Sequence, residues 1–140
     1  MRTLVRLTVA LAAALVALAV SVTPAHANQL WNVGGTLNTS GTLIQYSTWR
    51  PHSSGVSDFT ISNQVGCAGN RWSRWGLRKD YSSSQFTKSV QINGETGNAR
   101  FSRADNGSTT LPSGQYAING RMANETGHGC DNTWAGSIWL

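Results

Sequence analysis

Two short segments contain both cysteines of the chain together with an arginine, a histidine and an aspartate: CAGNRW at 67–72 and HGCDNTW at 128–134. Each runs from a cysteine through an asparagine to a tryptophan. Cys67 and Cys130 are the two cysteines of the chain, and an even number of cysteines in an oxidising compartment predicts a disulfide. We therefore predict one bridge, Cys67–Cys130, which would join the two segments.

The bridge would gather three polar side chains at one end of the domain: Arg71, His128 and Asp131. Loops that are held on a rigid scaffold often contain the residues that bind partners, so this cluster is a candidate binding site. The alternative is a polar loop cluster around a structural bridge. In that case Arg71 and Asp131 would form an ordinary surface ion pair.

Catalysis is not expected from these residues. Residues 28–140 contain two histidines, His52 and His128, but the chain has no Gly-x-Ser-x-Gly elbow and no His-Glu-x-x-His pair. We expect these two histidines to lie in loops without a catalytic role. The alternative is an enzyme in which they act as a ribonuclease-like pair, with Lys79 or Arg71 stabilising a phosphate. Since the cysteines and histidines are scattered, they lack the spacing of a zinc site. We expect no metal and no cofactor.

The most basic stretch is RWSRWGLRKD at 71–80. As a helix it would be a basic amphipathic segment suited to a membrane surface, but about two turns interrupted by Gly76 are too short to be stable alone. As a strand it would direct Trp75 and Leu77 to one face, which fits a core. The other face would carry three residues and be the binding surface: Trp72, Arg74 and Arg78.

Six tryptophans are many for a small domain, and several of them must be in the core. Alternation favours Trp75 and Trp134 for the core and Trp72 for the surface. An exposed tryptophan beside arginines is typical of a protein–protein hot spot, and the same composition suits sugar stacking or single-stranded nucleic acid. Residues 28–140 contain nine basic and six acidic residues. Their net charge of +3 is too low to favour a nucleic acid as the ligand.

The segment NQLWNVGGTLNTSGT at 28–42 is polar and rich in glycine and threonine. Leu30 and Trp31 are its apolar anchors. One interpretation is a first strand that is hydrogen-bonded into a sheet. The other is a flexible N-terminal arm that inserts into the groove of a partner through these two side chains.

The first 27 residues have the pattern of a secretory signal peptide. Two arginines precede a short apolar run, and Ala25-His26-Ala27 has the small-x-small pattern of a cleavage site. A membrane anchor would need about 20 apolar residues and no cleavage site. We predict that residues 28–140, a length suited to one domain, are secreted and extracellular, with no membrane partner.

Period-two alternation predicts that this domain is all-β. Apolar and polar residues alternate in QYAINGRMA at 115–123 and in TWAGSIWL at 133–140, and Gly, Asn, Asp and Ser clusters separate such runs. SDFTISNQV at 57–65 alternates too. Its inward residues would be Phe59, Ile61 and Val65.

Turn residues support the same fold. Asn93-Gly94 and Gly97-Asn98 predict a hairpin loop between two strands. We predict a small antiparallel β-sandwich of seven or eight short strands with one disulfide; a small barrel is the alternative.

In its leader, size, single bridge and all-β pattern, the chain resembles the small secreted β-proteins of actinomycete bacteria. These include inhibitors of extracellular enzymes and the adaptor subunit of umbrella toxin particles. The resemblance implies a non-enzymatic module that binds an extracellular protein. It matches no motif residue by residue, so no functional residue is transferred. A carbohydrate-binding domain with a polysaccharide ligand, built from exposed tryptophans with Asn and Asp, is the alternative function.

Overall fold

The computed structural model describes residues 27–66, 72–123 and 130–140. This part of the chain is all-β, as the alternation predicts, and contains nine strands and no helix. Accordingly, it includes no helix that could cross a membrane. The strands are β1 (Leu30–Leu37), β2 (Ile44–Gln45), β3 (Arg50–His52), β4 (Asp58–Val65), β5 (Trp72–Lys79), β6 (Val90–Asn93), β7 (Gly97–Arg100), β8 (Gly114–Met122) and β9 (Asn132–Trp139).

The strands form two antiparallel sheets. The first has the order β1-β9-β4-β7, and the second has the order β2-β8-β5-β6 with β3 also paired to β8. The strand number exceeds the predicted seven or eight. β2 and β3 have only two and three residues, too few to produce an alternation that can be read in the sequence.

The core lies between the two sheets and is rich in aromatic side chains. Trp75 of β5 contacts Phe59 of β4 and Trp134 of β9, with ring centroids 5.0 and 4.5 Å apart. The two strands that show the clearest alternation supply further buried residues on one parity: Tyr116, Ile118 and Met122 from β8, and Trp134 and Ile138 from β9. Ala117 and Asn119, on the opposite parity of β8, are buried as well. The apolar faces of both strands therefore point inward, as their alternation predicts, but the other face of β8 is also covered.

Strand β4 departs from its predicted alternation. Phe59 and Ile61 are buried as expected, but Val65 is 54% exposed and Gln64 is buried in its place. The pairing of β4 with β9 shifts between Ile61 and Asn63, which is a β-bulge. An extra residue in one strand reverses which side chains point inward beyond it. The prediction for Val65 was wrong for this reason.

The predicted hairpin at residues 93–98 is also wrong. Strand β6 pairs with β5, whereas β7 pairs with β4 in the other sheet. The turn at Gly94, whose φ is 104°, therefore carries the chain from one sheet to the other. Turn residues indicate where the chain reverses, but they do not indicate which strands become hydrogen-bonded neighbours.

The N-terminal segment forms a strand over residues 30–37. β1 pairs with β9 along its whole length, from Leu30 opposite Trp139 to Leu37 opposite Asn132. Two backbone hydrogen bonds between Gln29 and Leu140 extend this pairing, at 2.5 and 3.0 Å. Of the two interpretations of this segment, the strand is the one that the structure contains.

Candidate functional site

Both connections that contain a predicted site cysteine leave the same end of the domain. The connection 66–71 follows β4 and precedes β5, and the connection 123–131 follows β8 and precedes β9. At this end the buried hydroxyl of Ser73 donates to Gln64 Oε1 at 3.2 Å, which links the start of β5 to the end of β4 across the two sheets. The indole nitrogen of Trp75 donates to the same hydroxyl at 2.7 Å.

Three of the residues predicted to gather here, Cys67, Arg71 and His128, lie outside the described residues. Their flanking positions are close together, because Val65 pairs with Thr133 in the β4–β9 register. A Cβ atom built on Gly66 would overlap the side chain of Asn132. The segments next to Cys67 and Cys130 thus adjoin, which is compatible with the bridge, and the bridge itself stays a prediction.

Asp131 is exposed at this end, and it holds the N-terminal segment. Its Oδ1 accepts a hydrogen bond from the backbone nitrogen of Thr39 at 2.9 Å. The carboxylate therefore has a structural contact with the chain that follows β1. Its second oxygen and its exposure leave it able to contact a partner as well.

Strand β5 presents Trp72 and Arg74 on its outward face, as predicted. Trp72 is 51% exposed, whereas Trp75 on the opposite face is fully buried. Arg74 Nε donates to Gln91 Oε1 on β6 at 3.3 Å. Arg74 also lies directly opposite Arg121 of β8 in the sheet register.

A small pocket of about 130 Å³ opens beside this arginine pair. Arg74, Arg121, Gln85 and Asn119 are among its lining residues, together with the exposed Leu43. The amide nitrogen of Asn119 donates to Gln85 Oε1 at 3.0 Å, and this fixes the polar side of the pocket. Two guanidinium groups and two amides in one small pocket suit a carboxylate or amide group of a ligand.

Arg78 does not lie on an open surface, although it shares the outward parity of Trp72 and Arg74. Its side chain is 6% exposed. The chain between β2 and β3 passes over it: Arg78 donates to the carbonyl oxygen of Tyr46, and its guanidinium lies 4.9 Å from the ring centroid of Trp49. Burial lowers the pKa of Arg78. The sequence placed Arg78 on the outer face correctly but did not reveal that this segment covers it.

The same segment forms an aromatic pair that sequence reasoning missed. The rings of Trp49 and Tyr81 have centroids 4.8 Å apart, and Tyr81 is 69% exposed. The sequence contained one indication of this pair: Tyr81 is an aromatic residue in the polar run DYSSS at 80–84. A large ring is not expected in such a run unless it contacts something at the surface.

Leu30 and Trp31, the predicted arm anchors, occupy opposite faces of β1. Leu30 is exposed, whereas Trp31 is half-buried and packs against the core. The guanidinium of Arg50 lies 5.9 Å from the Trp31 ring centroid. Because Trp31 takes part in the domain's own packing, only Leu30 is open for contact with a partner in this structure.

His52 is a core residue. It is buried in β3, and its ring meets the ring of Tyr116 edge-on at 5.4 Å. Burial lowers the pKa of His52 below its ordinary value of 6.5. The described residues contain no cluster of three metal-binding side chains.

A pH dependence of stability follows from this burial. Below about pH 6.5 the unfolded chain binds a proton at His52 that the folded chain does not bind, so the free energy of unfolding falls until the lower folded pKa is reached. The slope from this group is at most about 1.4 kcal/mol per pH unit. Thermal unfolding measured from about pH 7 to about pH 5 should show a smaller loss of stability in His52→Gln than in the native protein.

His128→Gln is the matched control, because His128 is the other histidine of residues 28–140 and belongs to the connection 123–131. This variant should keep the native loss of stability on acidification. A His52→Gln protein that loses as much stability as the native one would show that His52 is not the responsible group.

The described residues thus form a two-sheet, all-antiparallel β-domain. Its arginine-lined pocket includes Arg74 of β5, the strand that also carries the exposed Trp72. The chain matches no protein family model, no curated protein and no solved structure.

Proposed function

We propose that residues 28–140 are a secreted β-sandwich that acts as a non-enzymatic protein-binding module. The disulfide Cys67–Cys130 would cross-link the connection after β4 to the connection before β9. Its role would be that of an adaptor in an extracellular, toxin-type assembly or of an inhibitor of an extracellular enzyme. The observation that carries this proposal is the half-exposed indole of Trp72 on the same strand face as Arg74. Tryptophan and arginine are the residue types most enriched in binding hot spots.

The pocket beside Arg74 supplies the polar part of such an interface. An acidic side chain of a partner that enters it would be placed between Arg74 and Arg121, and Leu43 would give the pocket an apolar rim. The loop cluster with Arg71, His128 and Asp131 would extend the same surface around the end of the domain. A central aromatic anchor with charged neighbours is the usual arrangement of a specific interface.

Trp72→Ala should therefore abolish most of the binding and leave the fold intact. Truncating a hot-spot tryptophan costs at least about 2 kcal/mol of binding, roughly thirtyfold in affinity. The test is capture of partners by tagged residues 28–140 from the culture supernatant of the native organism, followed by titration of the captured protein against both forms. Thermal unfolding of the two forms should coincide.

Trp139→Ala is the matched control, since Trp139 is an exposed tryptophan on the other sheet, in β9. It should bind like the native protein. If Trp72→Ala and Trp139→Ala both retain full affinity for the captured partner, the surface proposed here is the wrong one. If no protein is captured in stoichiometric amount, the module is not a protein binder.

Carbohydrate binding is the second candidate function, and one observation favours it: the exposed ring of Tyr81 beside Trp49. Retention of the domain on insoluble polysaccharide would support it. Trp72 begins β5, whereas Tyr81 follows the other end of that strand. The two functions therefore do not exclude each other.

A further inference from the structure

Strand β1 lies at the edge of the first sheet, where only one of its sides is paired. The two backbone hydrogen bonds that Gln29 and Leu140 exchange fix the phase of its pairing with β9. Because hydrogen-bonded and non-hydrogen-bonded pairs alternate in an antiparallel ladder, every second residue from Gln29 directs its backbone polar groups at β9. The residues between them direct their N–H and C=O groups at the open edge: Leu30, Asn32, Gly34 and Thr36.

Three of these four residues have backbone groups that are available to a further strand. In the part of the chain that the structure describes, no hydrogen bond uses the N–H or C=O of Leu30, Asn32 or Gly34. Thr36 differs, because the Tyr46 hydroxyl donates to its carbonyl oxygen at 2.9 Å. The segment that a further strand could extend therefore stops short of Thr36.

This edge lacks the features by which natural sheets prevent association. β1, with the sequence LWNVGGTL, has no charged residue and no proline, and it pairs with β9 over eight residues without a bulge. The other edge strands of the described residues are shorter: β6 and β7 have four residues each, and β2 and β3 have two and three. A long edge strand without a charge, a proline or a bulge is a template for another strand.

The side chains beside the open edge fit a second copy of themselves. At one end of β1, Leu30 lies opposite Trp139 of β9, and these side chains are 61% and 39% exposed. At the other end, Gly34 lies opposite Ala135 on the same exposed face. A two-fold interface brings the same patch of each copy together in reverse direction. The large pair of one copy would then lie against the small pair of the other, and the exposed apolar groups of both would be covered.

The charges near this edge also favour a second copy over a charged partner strand. A copy carries the same charges as the surface that it meets, so a two-fold interface has to avoid a patch of one sign. Neither β1 nor β9 contains a charged residue. An acidic or basic partner strand would find no opposite charge on these two strands, whereas a second copy of β1 needs none.

We propose that two copies of this domain associate through β1, with the two strands antiparallel and Asn32 opposite Asn32 of the partner subunit. This register places Leu30 opposite Gly34 of the partner subunit and joins the two four-stranded sheets into one continuous sheet. Each facing pair exchanges both of its hydrogen bonds, so every free group of the open edge is used. Thr36 keeps its bond from Tyr46. An interface of one strand pair is small, so the association should be weak.

The test is sedimentation equilibrium of residues 28–140 for the native protein, Asn32→Lys and Asn32→Asp. The native protein should dimerise between about 10 μM and about 1 mM. Each charged variant should dissociate at least about fivefold more readily, because the two-fold axis places like charges opposite each other. An equimolar mixture of the two variants should form a dimer with a dissociation constant within about threefold of the native value, because a lysine then faces an aspartate.

Asn98→Lys is the matched control, because Asn98 is an exposed asparagine on β7, the other edge strand of the same sheet. It should dimerise like the native protein. A native protein that is monomeric at about 1 mM would overturn the proposal. So would Asn32→Lys that dimerises like the native protein, or a mixture that associates no more tightly than either variant alone, because Asn32 would then not lie at the two-fold axis.

Discussion

Trp75→Ala is expected to lower the free energy of unfolding by about 3–5 kcal/mol, the largest effect of any single substitution considered. The Trp75 side chain is fully buried, and its ring contacts Phe59 and Trp134 from the opposite sheet. A Cβ atom built on Gly120 would lie 2.4 Å from the Trp75 ring, so the neighbouring strand approaches as closely as glycine allows. Alanine would leave a cavity between the sheets that this backbone cannot fill.

Denaturant unfolding of Trp75→Ala and Trp72→Ala provides the measurement and its control. Both substitutions remove a tryptophan from the same strand, but only the first removes one from the core. Trp72→Ala should stay within about 0.5 kcal/mol of the native protein, as surface substitutions usually do. If Trp72→Ala unfolds the domain and Trp75→Ala has no effect, the strand has the opposite orientation.

Removal of the predicted bridge should have an effect of similar size. Cys67–Cys130 would close a loop of about 64 residues, and in the chain-entropy model this contributes roughly 4 kcal/mol. Reduction of the purified protein, or the double substitution Cys67→Ala and Cys130→Ala, should lower the free energy of unfolding by about that amount. Non-reducing peptide mapping should first identify one linked pair of peptides.

The reducing agent itself can be controlled for with the double variant. Added reductant should destabilise the native protein and leave the double variant unchanged. Two alkylatable thiols in the native protein would contradict the bridge. So would a native protein whose free energy of unfolding is the same with and without reductant.

The strand at 72–79 shows what the sequence could predict. Alternation places Trp75 and Leu77 inside and Trp72 outside, because side chains on a strand alternate between two faces whatever the rest of the fold does. The same argument identifies the inward apolar face of β8 and of β9, although it does not predict that Ala117 and Asn119 on the other face of β8 are buried too. It depends only on local geometry and on the burial of apolar groups.

Non-local pairing explains what could not be predicted. The bulge in β4 reverses the faces of Gln64 and Val65, and nothing in SDFTISNQV indicates it. Arg78 is buried by Tyr46 and Trp49, which are about thirty positions away in the chain. Gly76 on the same face is covered by Gln85, whose side chain would collide with a Cβ atom at that position. Contacts of this kind depend on which strands become neighbours, and local alternation contains no such information.

The place of β9 in the first sheet has a consequence for the order of folding. β9 is the last strand in the chain, yet it lies between β1 and β4 and pairs with both. Before β9 emerges, β1 has no partner in its sheet, and Trp134 is missing from the core. The first sheet therefore cannot be completed before β9 is available, and its sequence-distant pairings make folding slow. β9 thus couples the first strand of the domain to β4 in the last step of sheet assembly.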